Sequence, residues 1–378
     1  MSVRKRTWKT AKGETREAWV VAYSDGNGNP HIETFARKRD AEDRHAVIKV
    51  DVGKGVHTPL NRSITVAQAA NDWLTYVELE GRERATIANY RKMVDQHLVP
   101  RIGAERLAKL TTPRINAFRD ELLRTCCSRA LAKKVLICLK AVIKDSRRRG
   151  NVAQNVADGV TITADKRGEG RLEVGTDIPS PAEISKMLAA AAPGRQRAFL
   201  VAAVFTGMRS SELRGLRWQD VDLDNAKVHV RQRADRYNAI GRPKSRSGTR
   251  TIPIGPFVVN TLREWRLANR HDLVFPTGNG NIESRGNLIK WVLWQAQVAA
   301  GVTVDGKAKY LGLHALRHFY ASWCINRKKD GGLELPVKIV QERLGHATVG
   351  MTMDTYGHLF PSDDDGRELE QAELRLIG

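Results

Sequence analysis

The sequence has only four cysteines in 378 residues, Cys126, Cys127, Cys138 and Cys324. They show neither the paired spacing of a zinc site nor the density of a disulfide scaffold, so reduced, mostly buried thiols are expected. No stretch approaches the roughly 20 consecutive apolar residues of a membrane-spanning helix. The N-terminal MSVRKRTWKTAKGETREAWV is basic but lacks the apolar run of a secretory signal. A cytosolic protein with no membrane partner is expected. Acidic residues are also scarce beside basic ones, 42 Asp and Glu against 63 Lys and Arg, which leaves a formal net charge of +21. That excess runs through patterned sequence rather than a tail, and such a field favours a polyanion, nucleic acid above all. No internal repeat, heptad array or low-complexity tract is present.

What is present divides along the chain. Up to about Leu60, β-favouring and polar residues alternate around YSDGNGNPH, and the polar helical stretch RKRDAEDRHAVIKVD follows, which suggests a small sheet with one helix. In SITVAQAANDWLTYVELEG, Thr65 is positioned as an N-cap, and Val66, Ala69, Ala70, Trp73, Leu74 and Val77 keep helical spacing. Three more helical signals follow before residue 150, one with Pro113 in its first turn. A Gly- and charge-rich stretch around DKRGEGR reads as a linker. Beyond Asp177 come a capped helix SPAEISKMLAAAA, an apolar helix RQRAFLVAAVFTG, a β-rich span from Val228 to Ile254 and further helices. The fold class expected is α+β, mainly helical with small β-sheets.

Several residues carry chemistry. Arg209 follows the apolar helix at a Gly turn, where its planar fork can reach a phosphate, with Glu212 three residues later to orient it. The span RQRADRYNAIGRPKSRSGTRTIPI holds seven basic residues against Asp235. It reads as strands with a basic turn that brings one lysine to a sugar-phosphate backbone, where it can donate a proton. The only lysine there is Lys244, and its neighbours Arg242 and Arg246 stay charged and cannot donate readily. In LHALRHFYAS, His314 and His318 stand four apart, a spacing that can hold a metal. A zinc-protease helix would need Glu after the first His, where Ala315 stands, and no third ligand is evident. His314 and Arg317 lie one turn apart on one face and can address the same phosphate; His318 adjoins them as a support. Further on are His346, in ERLGH, and Tyr356, whose hydroxyl can attack phosphorus if cations stabilise the developing charge.

The ordered motifs TGMRSSEL, RPKSRSGTRTIPI, HALRH, ERLGHATV and MDTYGHL resemble those of the tyrosine recombinase family, most closely its phage-type integrases. The resemblance implies an arm-type DNA-binding domain at residues 1–62, a core-site-binding helical domain at 63–160, a linker at 161–176 and a catalytic domain at 177–378. It implies a site-specific recombinase that cleaves and rejoins DNA between two attachment sites through a 3′-phosphotyrosine. Tyr356 would be the nucleophile, Arg209 and Arg317 the phosphate clamp, Lys244 the general acid, with His314 assisting proton transfer and His346 holding the phosphate. Glu212 and His318 would be supporting residues. No metal or other cofactor is expected. Duplex DNA carrying core and arm sites, a homotetramer on DNA, a host DNA-bending protein and an excision directionality factor are the implied partners, in a bacterial cytoplasm at the nucleoid. The segment NRKKDGGLELPVK is expected to form a surface loop, and PSDDDGRELEQAELRLIG an acidic tail with a helical end. A type IB topoisomerase-like relaxing enzyme shares the nucleophile chemistry, and a catalytically idle DNA-binding regulator is the alternative outside enzymes.

Overall fold

The computed structural model describes all residues except 12, 26, 27, 56, 58, 60–62, 127, 164–170, 361–372, 375 and 378. The middle of the expected linker and most of the expected acidic tail lie outside the described residues. The chain divides into two compact units, Met1–Lys166 and Arg167–Gly378. Most of its elements are helices; the sheets are small and antiparallel.

In the first unit, β1 (Ser2–Lys9), β2 (Thr15–Ser24) and β3 (Pro30–Phe35) form a three-stranded antiparallel meander. The helix α1 (Lys38–Gly53) contributes Ala41 and Ile48 to a small core with Val21 and Tyr23. β1 places Arg4, Lys5, Arg6, Trp8 and Lys9 at the surface. Four helices follow: α2 (Val66–Leu79), α3 (residues 84–102, with a π-helical middle), α4 (Thr112–Thr125) and α5 (Arg129–Arg148). Thr65 caps α2 in a capping box with Gln68, and the six apolar residues at helical spacing in α2 are all buried. They share one core with Ile115, Phe118 and Leu122 of α4 and with Val135, Leu139 and Val142 of α5.

In the second unit, Ser180 caps α6 (Pro181–Ala190) in a box with Glu183. α7 (Arg195–Thr206) is apolar nearly all round, as a helix at the centre of a core must be, and every residue from Ala198 to Val204 is buried. It stops at Gly207, whose φ of +59° is left-handed and whose missing side chain makes room for the Tyr320 ring. α8 (Ser210–Arg214) follows, then β4 (Val221–Asp222), β5 (Lys227–Val230), β6 (Arg233–Ala234), β7 (Ile240–Gly241) and β8 (Arg250–Pro253). β4, β5 and β8 form one sheet; β6 and β7 form a separate hairpin. α9 (Pro256–Ala268), α10 (residues 285–299, π-helical over Leu288–Trp294), a small hairpin of β9 (Thr303–Val304) and β10 (Lys307–Ala308), then α11 (His314–Ile325), α12 (Val337–Leu344) and α13 (Val349–Tyr356) complete the unit.

The surface loop expected at NRKKDGGLELPVK is exposed from Lys328 to Gly331. It is pinned to α11 where the amides of Leu333 and Leu335 donate to the Trp323 and Cys324 carbonyls. Cys138 and Cys324 are buried free thiols, pushed up by burial to about 12 and about 11. No described helix is long and apolar enough to cross a membrane.

Candidate active site

Four short segments of the second unit converge: the turn after α7, the start of β8, the face of α11, and the run from the end of α12 to the end of α13. Glu212, only 2 % exposed, is their hub. Its carboxylate accepts from the Arg209 backbone N–H at 2.8 Å and from Arg209 Nη1 at 2.9 Å. It also accepts from Arg250 Nη1 at 3.1 Å and Nη2 at 2.8 Å. Burial pushes this carboxyl up, but the hydrogen bonds and charge of Arg250, followed by those of Arg209, outweigh it and hold the group below its ordinary value.

The arginines are then tied to backbone. Arg317 Nη1 donates to the Gly207 carbonyl at 2.7 Å and Nη2 to the Leu344 carbonyl at 2.6 Å. Arg209 Nη2 donates to Gly345 at 3.2 Å and Arg250 Nε to Arg343 at 2.7 Å. The turn ending α12 therefore offers three successive carbonyls to three guanidiniums. It can do so because Gly345 stands at φ +65°, a left-handed conformation that glycine adopts without strain. A Cβ there would meet Arg250 Nη1 and the Ser247 carbonyl at 2.9 Å. Gly345→Ala is expected to destabilise the protein by about 1–3 kcal/mol and to shift Arg250 off Glu212. Urea denaturation tests this, and an unchanged midpoint would contradict it.

The aromatic groups gather on the other side. His318 Nδ1 lies 2.8 Å from the Tyr356 hydroxyl, and the His314 ring packs edge-on against His318 with centroids 4.4 Å apart. His346 bonds through Nδ1 to Thr352 Oγ1 at 2.9 Å and stacks parallel to the Tyr356 ring at 6.3 Å. Tyr356 is 1 % exposed; burial pushes its phenol up to about 12 even though Arg317 and Arg209 pull it down. Burial lowers His318 to about 4, helped by His314 and Arg317. It lowers His346 to about 4 as well, helped by Arg317, Arg209 and Arg250. His314, on the exposed rim, is lowered by loss of ring hydration and then by Arg317, Arg209 and Arg285.

These histidines fix a pH dependence of stability. In the unfolded chain each imidazole titrates near its ordinary 6.5, so between about 6.5 and 4 the unfolded state binds more protons than the folded one. Stability must then fall as the pH drops through that window. The contribution of Glu212, whose folded value lies below its unfolded one, is present above pH 4.5 and lost at still lower pH. The urea midpoint followed by tryptophan fluorescence is expected to drop between pH 7 and pH 4.5; a flat profile would contradict the assigned directions.

The fold thus brings together Arg209, Glu212, His314, Arg317, His318, His346 and Tyr356, and adds Arg250, which was legible only as one of several basic residues. Its signal was period-two spacing: Arg250, Ile252 and Ile254 share the buried face of β8 and its extension, while Thr251 and Pro253 are exposed. Lys244 is exposed and does not sit in a hairpin turn as expected. The tight turn falls at 235–239, where Asp235 accepts from the Tyr237 and Ala239 amides and Asn238 takes φ +63°. Asp235 and Asn238 are the turn formers. Gly241 ends β7, and Lys244 lies beyond it on the connection to β8.

Two guanidiniums bond one buried carboxylate, and a third, that of Arg317, is held by backbone carbonyls close enough to feel its charge. That surplus of positive charge lowers every neighbouring imidazole and suits an anion held beside the Tyr356 hydroxyl. Residues 180–362 match the phage integrase family. The XerC-like tyrosine recombinase of Caldanaerobacter subterraneus is 25% identical, covering 90% of this chain and 92% of its own. The fold matches that of the Tn1549 transposon integrase, solved in complex with a circular intermediate DNA (TM-score 0.64, 18% identity, 84% of this chain and 100% of that one). It also matches a lambda integrase tetramer bound to a Holliday junction (TM-score 0.59, 17% identity, 90% and 95%). The motif order, the family match and the relative that spans nearly the whole chain agree: residues 180–362 form a phage-integrase-family domain, and the protein is a tyrosine-type site-specific recombinase.

Proposed function

We propose that this recombinase cleaves and rejoins DNA between two attachment sites through a 3′-phosphotyrosyl intermediate on Tyr356. The observation that carries this reading is the pair Arg209 and Arg250 bonded to the single carboxylate of Glu212, with the buried Arg317 close enough to feel its charge and a buried phenol at the edge of that surplus. A phosphodiester between Arg209 and Arg317 supplies the missing negative charge. The same arginines then stabilise the additional charge that develops at phosphorus. The phenol forms the Oη–P bond as the P–O5′ bond breaks. The ester retains the energy of the broken linkage, so the strand is resealed, or joined to another 5′-hydroxyl, without a nucleotide cofactor. His346, held by Thr352, and His314 donate hydrogen bonds to the phosphate. Lys244, on the exposed connection before β8, reaches the leaving 5′-oxygen as its general acid.

The partner is duplex DNA, a reading supported by the circular intermediate DNA and the Holliday junction bound in solved complexes of similar fold, and a tetramer on DNA is the working assembly. Residues 63–160 grip the core site, and residues 1–62, with the basic surface of β1, read a second, arm-type site. A host DNA-bending protein and a directionality factor complete the reaction in the bacterial cytoplasm.

The test is to incubate the protein in EDTA with supercoiled DNA from its own genomic neighbourhood, quench in detergent and measure DNA carried into the protein fraction. A covalent adduct that leaves a free 5′-hydroxyl is expected. Attachment through a 5′ end, or no adduct on DNA shown to be bound, would sink the proposal.

A further inference from the structure

We propose that His318, adjacent to the phosphate-clamping Arg317 on α11, takes the proton from the Tyr356 hydroxyl as the phenolic oxygen attacks phosphorus. This rests on the reading of Tyr356 as nucleophile and assigns the proton's destination.

Geometry selects His318 over the other histidines. Its Nδ1 is 2.8 Å from the hydroxyl, which is that hydroxyl's hydrogen bond among the described residues. His346 spends its Nδ1 on Thr352 and meets the Tyr356 ring face to face. His314 meets the ring of His318.

Protonation fits as well. With the phenol raised to about 12 and the imidazole lowered to about 4, both groups are neutral at physiological pH. A phenol is the better donor of the two, so O–H points at an unprotonated Nδ1 and the imidazole carries its own proton on Nε2. The base is therefore in its accepting form before DNA arrives. The scissile phosphate brings a negative charge beside Arg317, whose field, after burial and His314, helps hold the imidazole down. Binding thus raises the basicity of His318 at the moment a base is needed.

The step balances. Oη–P forms and P–O5′ breaks, the phenolic proton moves to Nδ1, and the 5′-oxygen is protonated by the general acid. Resealing returns the His318 proton to Tyr356.

The test uses the full-length protein on a nicked duplex carrying the cleavage position mapped from its own adduct, and follows the rate of adduct formation. His318→Ala is expected to slow cleavage by about 10²-fold or more, the usual scale of general-base catalysis, with DNA binding retained. His318→Gln can hold the hydroxyl by a hydrogen bond but cannot accept its proton, so it should be as slow as Ala. Replacing Tyr356 by 3,5-difluorotyrosine, a more acidic phenol, should recover at least about tenfold in the His318→Ala background and change the parent little. A Gln variant at the parent rate reduces His318 to a positioning residue and overturns the proposal. So does a His318→Ala deficit that fluorination leaves untouched, or an Ala variant at the parent rate. If the parent itself forms no adduct, the nucleophile assignment fails as well, which separates the two failures.

Discussion

Replacing Tyr356 by phenylalanine is expected to lower covalent attachment to DNA by at least about 10⁴-fold, the scale on which loss of a nucleophile is felt. Duplex binding should stay within about twofold, because backbone contacts carry the affinity. The side chain is 1 % exposed and its ring packs beside His346, so removing one oxygen leaves the packing in place. The loss is the hydrogen bond to His318, whose part-buried Nδ1 then lacks that partner, at about 1–3 kcal/mol. A gel assay for adducts alongside a filter-binding isotherm separates chemistry from binding. A Phe variant that still forms adducts would show that another group attacks, and a Phe variant that unfolds would show that the hydroxyl holds the domain together.

Glu212→Gln is expected to be the most damaging change to stability, about 3–5 kcal/mol, the usual cost of removing one partner from a buried ionic cluster. Glutamine keeps the shape but removes the carboxylate that, among the described residues, is bonded to both Arg209 and Arg250, and Arg317 adds a third cation at 2 % exposure. Sulfate should therefore raise the variant's melting temperature more than the parent's, since an anion between the guanidiniums replaces the lost charge. Equal stabilisation of both proteins would mean that charge imbalance is not the cause.

Much of this architecture was legible in the sequence because local chemistry agreed with the fold. Thr65 and Ser180 sit before helices and cap them; Gly207 and Gly345 close helices in left-handed turns that few other residues accept. Arg209, His314, Arg317, His346 and Tyr356 stand in motif order, and the chain folds them together. What was not legible depended on contacts between distant segments. Arg250 looked like one basic residue among seven until β8 turned it inward onto Glu212, 38 positions away. Lys244 was set in a hairpin turn because Gly241 and Pro243 resemble turn residues, yet Asp235 and Asn238 make the tighter turn. His318 passed as a helix support because the residue it bonds lies 38 positions on, at the end of α13.

Mass spectrometry of the peptide that remains linked to DNA after the adduct is digested with protease and nuclease tests the nucleophile most directly. A nucleotide 3′-phosphate esterified to Tyr356 is expected, in the peptide containing MDTYGHL. A nucleotide on any other residue, or linkage through a 5′-phosphate, would contradict that assignment.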